Sequence, residues 1–258
     1  MVEGICGTTP KYCAGPSCQL SFGPACDGNQ VPAGADTSKV PRPTFGNVSY
    51  GVNIRDCSVS GKVALTFDDG PYIYTTELLD LLNRNKVQAT FFIVGNNAGK
   101  GQINDPKSGY GPIIKRMIAE GHQVGSHSWS HQALNESTTP QQRRAQIINN
   151  EIAINSILGV IPTYFRPPYT RCWADCLKDL KSLGYHVVCC LRDIILSGLA
   201  DGFARLIMTL TRRTIRTAAS TRRTISRRSY RSTAQPRRPG SRWPTTCRNL
   251  LFTNLPSS

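Results

Sequence analysis

The sequence has no uninterrupted apolar run long enough to span a membrane, because Arg192, Asp193 and Asp201 interrupt the most apolar part of its second half. Its opening residues, MVEGICGTTP, lack the charged and apolar segments of a signal peptide. From residue 191 onward the chain has no lysine and no glutamate. These absences argue against a membrane span and set the end of the chain apart from the rest.

The excess positive charge belongs to that last segment. The formal net charge is +15, of which residues 191–258 contribute +12 through 14 arginines and two aspartates. The segment is rich in Arg, Thr and Ser without an apolar period, so we expect it to be disordered. It is either a nucleic-acid-binding arm or the product of a reading-frame or splicing error near Cys189. The missing lysines and few aromatic residues favour the error, so we do not expect nucleic acid to be a partner.

The cysteine content points to an oxidising compartment, because the chain has 10 cysteines in 258 residues. Two glycosylation sequons, at Asn47 and Asn135, agree with this. We therefore expect a secreted or cell-wall protein. Because no export signal is visible, we also expect that the start of the chain is missing.

Apolar periodicity and composition divide the chain into four parts. A cysteine-rich start at 1–27 precedes a Pro/Gly-rich linker at 28–56, a folded domain at 57–190 and the basic tail at 191–258. The domain alternates helix-like stretches with five strand-like segments, which are KVALTF, ATFFIVG, GHQVGSH, PTYFRPPY and GYHVVCC. Such alternation predicts an α/β fold with a parallel sheet or barrel, whose functional residues gather at the carboxyl ends of the strands.

Two adjacent carboxylates, Asp68 and Asp69, stand where the first of these strands must stop. Successive strand residues point to opposite faces, so the two side chains act on one centre only if the Gly70-Pro71 break turns the chain. One carboxylate would then bind a cation and the other would face water. Taken alone, the segment favours a plain Asp-Gly turn.

The segment HSWSH places His127 and His131 four residues apart, a spacing that predicts both imidazoles on one side of a helical turn. Together with a strand-end aspartate they make an Asp-His-His ligand set that suits Zn²⁺ or a similar divalent ion. By contrast, His122 and His186 lie within apolar strand patterns and are interpreted as structural.

A third cluster, FRPPYTRC, follows the fourth strand. Pro167 and Pro168 stiffen the loop, so that the backbone N–H of Tyr169 can serve as an oxyanion donor. Arg166 could pair with a nearby carboxylate and hold it ionised. The alternative is an ordinary proline-stiffened surface loop with a solvated arginine.

In this order, TFDDGP at 66–71, HSWSH at 127–131 and RPPY at 166–169 resemble the polysaccharide deacetylases with the NodB homology domain, carbohydrate esterase family 4, and most closely the fungal chitin deacetylases. The resemblance runs from about Gly61 to Val188. It implies a distorted (β/α) barrel and a Zn- or Co-dependent hydrolysis of the N-acetyl groups of chitin or chitooligosaccharides, which gives chitosan and acetate. No protein partner is implied.

The resemblance also assigns roles to individual residues. Asp68 would be the general base, oriented by Arg166, and the Tyr169 amide would stabilise the oxyanion. The implied metal ligands are Asp69, His127 and His131.

The N-terminal CGTTPKYCAGPSCQLSFGPAC resembles the second half of a hevein-type chitin-binding module, with Tyr12 at a sugar-stacking position. The cysteines expected before Cys6 are absent, so we expect this fragment to fold poorly, although Cys18 and Cys26 could still form a disulfide. The spacing of Cys172 and Cys176 in CWADC lies within the range that a disulfide can bridge. Because fungal relatives have a similar pair, the resemblance implies a structural disulfide there.

Two later family motifs, one Asp-rich and one Leu-x-His, are absent, and no histidine follows His186. We therefore expect the barrel to be incomplete at its C-terminal strands, the chain to be unstable, and the leaving amine to lack its general acid. Three alternatives remain open, namely an acetylxylan esterase of the same family, a non-catalytic chitin-binding protein, and a nucleic-acid binder acting through the tail.

Overall fold

The protein is described by a computed structural model for residues 10–21, 25–42, 46–55, 57, 64–96 and 99–189. The predicted disorder of the tail and the predicted loss of the last barrel strands fall outside these residues. No helix in the described ranges is long and apolar enough to cross a membrane.

A parallel sheet of six strands forms the centre of the described domain. The strands are β1 (Asn53–Ile54), β2 (Thr66–Asp68), β3 (Thr90–Ile93), β4 (Gln123–Ser126), β5 (Tyr164–Phe165) and β6 (His186–Val188). Their order is β1-β6-β5-β4-β3-β2, with every pair parallel. All five predicted strands are present. The sequence did not predict β1, which lies in the expected linker and pairs with β6 through Asn53 and Val187.

Helices follow the strands as the periodicity predicts. A short α1 (Pro10–Cys13) precedes the sheet, and α2 (Thr75–Arg84), α3 (Tyr110–Ala119), α4 (Pro140–Leu158) and α5 (Ala174–Ser182) follow β2, β3, β4 and β5. The long α4 begins at a capping box, in which Thr139 accepts from the Gln142 N–H and the Gln142 side chain accepts from the Thr139 N–H. It ends at Gly159, whose φ of 72° is easy for glycine.

The sheet is buried on both faces. Phe91 and Ile93 of β3 pack with apolar residues of α2 and α3, whereas Phe92 points the other way and packs with Tyr164 and Val188. A strand with helices on one face and a second apolar cluster on the other is typical of barrel-like α/β folds. The described fold is an α/β half-barrel of parallel strands, which confirms the predicted fold class.

The N-terminal region packs against this domain. We call residues 14–21 and 25–30 the N-terminal strap. The predicted disulfide Cys18–Cys26 closes it. Beyond the strap, Arg42 makes a 2.6 Å ion pair with the fully buried Glu151 of α4, so this part of the expected linker is also fixed to the domain. The described residues of the fragment find partners in the domain, as in the hydrogen bonds to the carbonyl oxygens of Pro16, Cys18 and Gly28. The poor folding expected of the fragment as a whole stays a prediction.

Candidate active site

The turn after β2 brings two consecutive carboxylates to the same side. Asp68 ends the strand, and Asp69 takes the left-handed conformation with φ of 68°. This conformation breaks the strand alternation. As a result the His127 Nε2 lies 4.0 Å from Asp68 Oδ2 and 3.8 Å from Asp69 Oδ1. The convergence predicted at this turn is present.

The HSWSH segment is a loop after β4, so the predicted helical turn is wrong. Ser128 and His131 have φ of 72° and 56°, outside the helical region. Between the two histidines, Trp129 is fully buried, and a Cβ added to Gly95 would clash with its ring. The anchored tryptophan and the two left-handed residues turn the loop so that the histidine rings meet at 5.0 Å between centroids.

The geometry of Asp69, His127 and His131 fits a divalent metal ion. The three ligand atoms all lie within 4.8 Å of one another, and Asp69 Oδ1 is 3.2 Å from His131 Nε2. In a tetrahedral zinc site with bonds of about 2.0–2.2 Å, ligand atoms are roughly 3.3–3.6 Å apart. The distances from Asp69 Oδ1 to His131 Nε2, 3.2 Å, and to His127 Nε2, 3.8 Å, are close to that range. One carboxylate with two imidazoles is a donor set that zinc accepts.

The tautomer of His127 is fixed by its surroundings. Its Nδ1–H donates to the carbonyl oxygen of Arg166 over 2.5 Å, so the unprotonated Nε2 faces Asp69. Burial lowers the pKa of His127, although the charge of Asp68 opposes this. Burial likewise lowers the pKa of His131 against the opposing charge of Asp69. Both imidazoles are therefore neutral at neutral pH, the state in which histidine binds metals.

Arg166 follows β5 and holds Asp68. Its Nη1 donates to Asp68 Oδ1 over 2.7 Å and to the Thr66 hydroxyl over 2.8 Å. The guanidinium lies over the Phe92 ring, 4.2 Å from its centroid, so it is fixed from two directions. The predicted pairing of Arg166 with a carboxylate is present, and it leaves Asp68 Oδ2 directed to the site.

The proline-stiffened loop places Tyr169 beside the histidines. Its ring meets the His131 ring edge to face at 4.6 Å. Tyr169 and Thr170 both have left-handed backbones, with φ of 55° and 56°. Two adjacent non-glycine residues in that region indicate a loop held by its context. The use of the Tyr169 N–H as an oxyanion donor stays a prediction.

Sequence reasoning missed Lys100. Its Nζ donates to the carbonyl oxygens of Asp69 and Gly70 over 3.1 and 3.2 Å, and burial lowers its pKa to about 8. The lysine also lines a cleft of about 360 Å³ that opens beside Asp68 and Asp69. Its partners are backbone carbonyls, which no residue pattern identifies, so the sequence carried no signal for this contact.

The other predicted residues lie in different surroundings. The His122 Nδ1 accepts from the Ala89 N–H over 3.2 Å, and the His186 ring stacks on Tyr50 at 4.2 Å. Both therefore have the structural contacts predicted for them. Tyr12 is half-buried in α1. The second predicted disulfide, Cys172–Cys176, is present beside the start of α5.

Comparison with known proteins gives a family match and several relatives. The polysaccharide deacetylase family matches residues 56–188. The chain is 47% identical over 156 residues to a chitin deacetylase of Pestalotiopsis sp, covering 60% of this chain and 50% of the relative. It is 44% identical over 142 residues to a chitin deacetylase of Colletotrichum lindemuthianum, covering 55% of each.

The solved structure of the chitin deacetylase from Colletotrichum lindemuthianum superposes with a TM-score of 0.51 at 43% identity. The superposition covers 55% of this chain and 60% of that one. This chain spans about half the length of the curated relatives it matches.

Proposed function

This chain belongs to the polysaccharide deacetylase family, and on that premise we propose that it hydrolyses the N-acetyl groups of chitin, giving chitosan and acetate. The observation that carries the proposal is the convergence of Asp69, His127 and His131 within 4.8 Å, with a second carboxylate beside the same imidazole. The names of the two fungal relatives support chitin as the substrate.

We propose Zn²⁺ or Co²⁺ as the ion held by Asp69, His127 and His131. When bound, such an ion polarises the acetyl carbonyl and makes water a stronger acid. The protein contributes the fixed orientation of its ligands, since the Arg166 carbonyl holds the His127 ring from behind. The open side of the site is the cleft beside Asp69, where a sugar chain has room to enter.

Asp68 is the proposed general base. Its Oδ1 is occupied by Arg166 at 2.7 Å, whereas its Oδ2 faces the ligand set. A base must lie within hydrogen-bond reach of the proton it takes, and this arrangement points one carboxylate oxygen to where water would sit. Arg166 is therefore a positioning residue in the proposal, and the Tyr169 N–H is the proposed donor to the developing oxyanion.

The proton for the leaving amine has no histidine donor in this arrangement. The chain has four histidines; His127 and His131 form the ligand pair, and the contacts of His122 and His186 are with other groups. General acid catalysis contributes ~10²- to 10⁴-fold to a rate. We accordingly propose that the chain binds its metal ion with an unreduced affinity but releases acetate slowly.

The proposed setting is extracellular. The disulfides Cys18–Cys26 and Cys172–Cys176 both persist in oxidising compartments and not in a reducing cytosol.

The deciding experiment measures acetate release from chitotetraose and from acetylxylan by the metal-loaded full chain and its Asp68→Asn variant. We expect acetate from chitotetraose with the wild type, and at least ~100-fold less with Asp68→Asn, while zinc content is equal in both. Faster acetate release from acetylxylan than from chitotetraose would make acetylxylan, and not chitin, the proposed substrate. Retention on chitin beads by both proteins without acetate release would indicate a binding protein, and absence of metal uptake by the wild type would overturn the proposal.

A further inference from the structure

The loop that carries both histidines has no regular structure of its own. Ser128 and His131 are left-handed, so the position of His131 depends on what the loop contacts. One support is α4, where the Gln146 carbonyl accepts the Trp129 N–H over 2.8 Å. The Gln146 side-chain oxygen accepts from the Ser130 N–H over 2.9 Å and from the Ser130 hydroxyl over 3.0 Å.

A second support comes from the N-terminal strap, through the same glutamine. The Gln146 Nε2 donates to the carbonyl oxygen of Gly28 over 3.1 Å. One buried side chain thus joins Ser130, the residue before His131, to the strap. Because both ends of the amide are used, neither partner can move without leaving a buried polar group unpaired.

On the other side of His131 the strap makes direct contacts. The Gln132 Nε2 donates to the carbonyl oxygens of Pro16 and Cys18 over 3.1 and 3.0 Å. The residues immediately before and after His131 are therefore both tied to the strap, more than 100 residues away in sequence.

The strap lies against the loop without a gap. A Cβ added to Gly28 would be 2.6 Å from Ser130 Oγ and 2.8 Å from Leu20 Cδ2, and a Cβ added to Gly15 would be 2.6 Å from the Ser130 carbonyl oxygen. Real Cβ atoms essentially never lie so close to another atom, so a methyl group at either position forces a neighbour to shift. A side chain at either position would displace Ser130 or lift the strap.

The strap has its own internal closure. The Cys18–Cys26 disulfide closes a short loop, and the Gly15 N–H donates to Asp27 Oδ1 over 2.6 Å. A closed loop loses little entropy on docking, so it can act as a rigid support for its neighbour.

We propose that the N-terminal strap is a positioning element of the metal site, which holds His131 in place through Gln146 and Gln132. This rests on the proposed metal site and adds to it a region that resembles a chitin-binding fragment in sequence. Loss of strap contact weakens metal binding by loosening His131, without removing any ligand.

The test compares matched variants of the full chain, with Zn²⁺ affinity measured by competition against a chelator and the visible absorption of bound Co²⁺ as a probe of ligand geometry. Gly28→Ala places a methyl group against Ser130. Its control is Gly111→Ala in α3, whose added Cβ would lie 3.9 Å from Ile157, an ordinary contact. Gln132→Leu removes the donor to the strap, and its control is the exposed Gln141→Leu.

We expect Gly28→Ala and Gln132→Leu to bind Zn²⁺ about 10- to 100-fold more weakly, the range for residues that orient metal ligands, and to alter the Co²⁺ spectrum. Both controls keep the wild-type values. Wild-type affinity and spectrum in folded Gly28→Ala would overturn the inference. If Gly28→Ala does not fold, Gln132→Leu, which adds no side-chain atoms, decides alone. A wild type that binds neither ion contradicts the proposed function instead.

Discussion

The two halves of the candidate metal site differ in how they are held. The imidazoles of His127 and His131 are only 4% and 13% exposed, whereas the Asp69 side chain is 56% exposed. The histidine half rests on a buried tryptophan, on α4 and on the strap. The acidic half is an open turn fixed by Lys100 and Arg166. Under the proposed function, the imidazole ligands are held before the ion binds, whereas the carboxylate side stays accessible to water and substrate.

The largest effect is expected from removing a ligand in the buried half. His127→Ala leaves the ion with two ligands and should weaken Zn²⁺ binding by more than the ~100-fold upper range for outer contacts. Asp69→Asn keeps an oxygen at the open half and should cost less. Competition titration of both variants measures the difference between their Zn²⁺ affinities. Equal losses of affinity would contradict the proposed difference between the buried and the open half. The melting temperature of each metal-free variant controls for unfolding.

A large effect on turnover alone is expected at Arg166. In Arg166→Met, Asp68 loses its 2.7 Å partner while the ligand set is unchanged, so the base is misplaced. We expect kcat for acetate release to fall up to ~100-fold, with zinc affinity within a few-fold of wild type. Arg166→Lys should restore part of kcat, because it keeps a donor. A loss of zinc from Arg166→Met would show that the contact of Arg166 with Asp68 also supports metal binding, which contradicts the expected effect on turnover alone.

A moderate effect is expected when the open turn loses its clamp. Lys100→Met removes the ammonium from the carbonyls of Asp69 and Gly70, and a charged hydrogen bond contributes about 1.5–3 kcal/mol when partly buried. Zinc binding should weaken by about tenfold, since only part of that energy bears on Asp69. The exposed Lys115→Met is the control for loss of charge, and an equal change there would mean that Lys100 acts only through its charge.

The smallest effect is a pH dependence of the metal-free protein. Burial lowers the pKa of all four histidines below their ordinary 6.5. Below that pH the unfolded chain binds more protons than the native one, so the stability present above pH 6.5 is lost as pH falls through the lowered folded pKa values. Chemical denaturation of the metal-free protein at several pH values should show this fall. His186→Gln should reduce the slope, and bound Zn²⁺ should shift the His127 and His131 part to lower pH.

The strands and helices of the domain were predictable because their signal is local. Short apolar runs and helical apolar periods in neighbouring residues identified β2 to β6 and the four long helices. Strand β1 was missed because its two residues, Asn53 and Ile54, do not form an apolar run. The helical turn at HSWSH was wrong because a spacing of four brings side chains together in a helix but does not by itself make one. The left-handed backbones of Ser128 and His131 bring the two imidazoles together without a helix.

The site was predictable in its chemistry and not in its support. The residue types at strand ends identified Asp68, Asp69 and the two histidines. The contacts of Lys100, Gln146 and Gln132 were not predictable. A hydrogen bond from a side-chain amide or ammonium to a backbone carbonyl requires no particular residue type at the acceptor, so no sequence pattern identifies it. The strap lies in the segment that resembles a chitin-binding module, and its contacts with the domain are likewise absent from any residue pattern.

The sequence by itself determined the fold class, the types of the candidate ligands and their order along the chain, because hydrophobic patterns and functional groups are properties of neighbouring residues. Only the tertiary structure decided that the two carboxylates share one side, that a loop presents the histidines, and that the N-terminal strap lies behind them. Those outcomes depend on backbone angles and on contacts between residues 30 to more than 100 positions apart, whose energies are set by packing and burial in the folded chain.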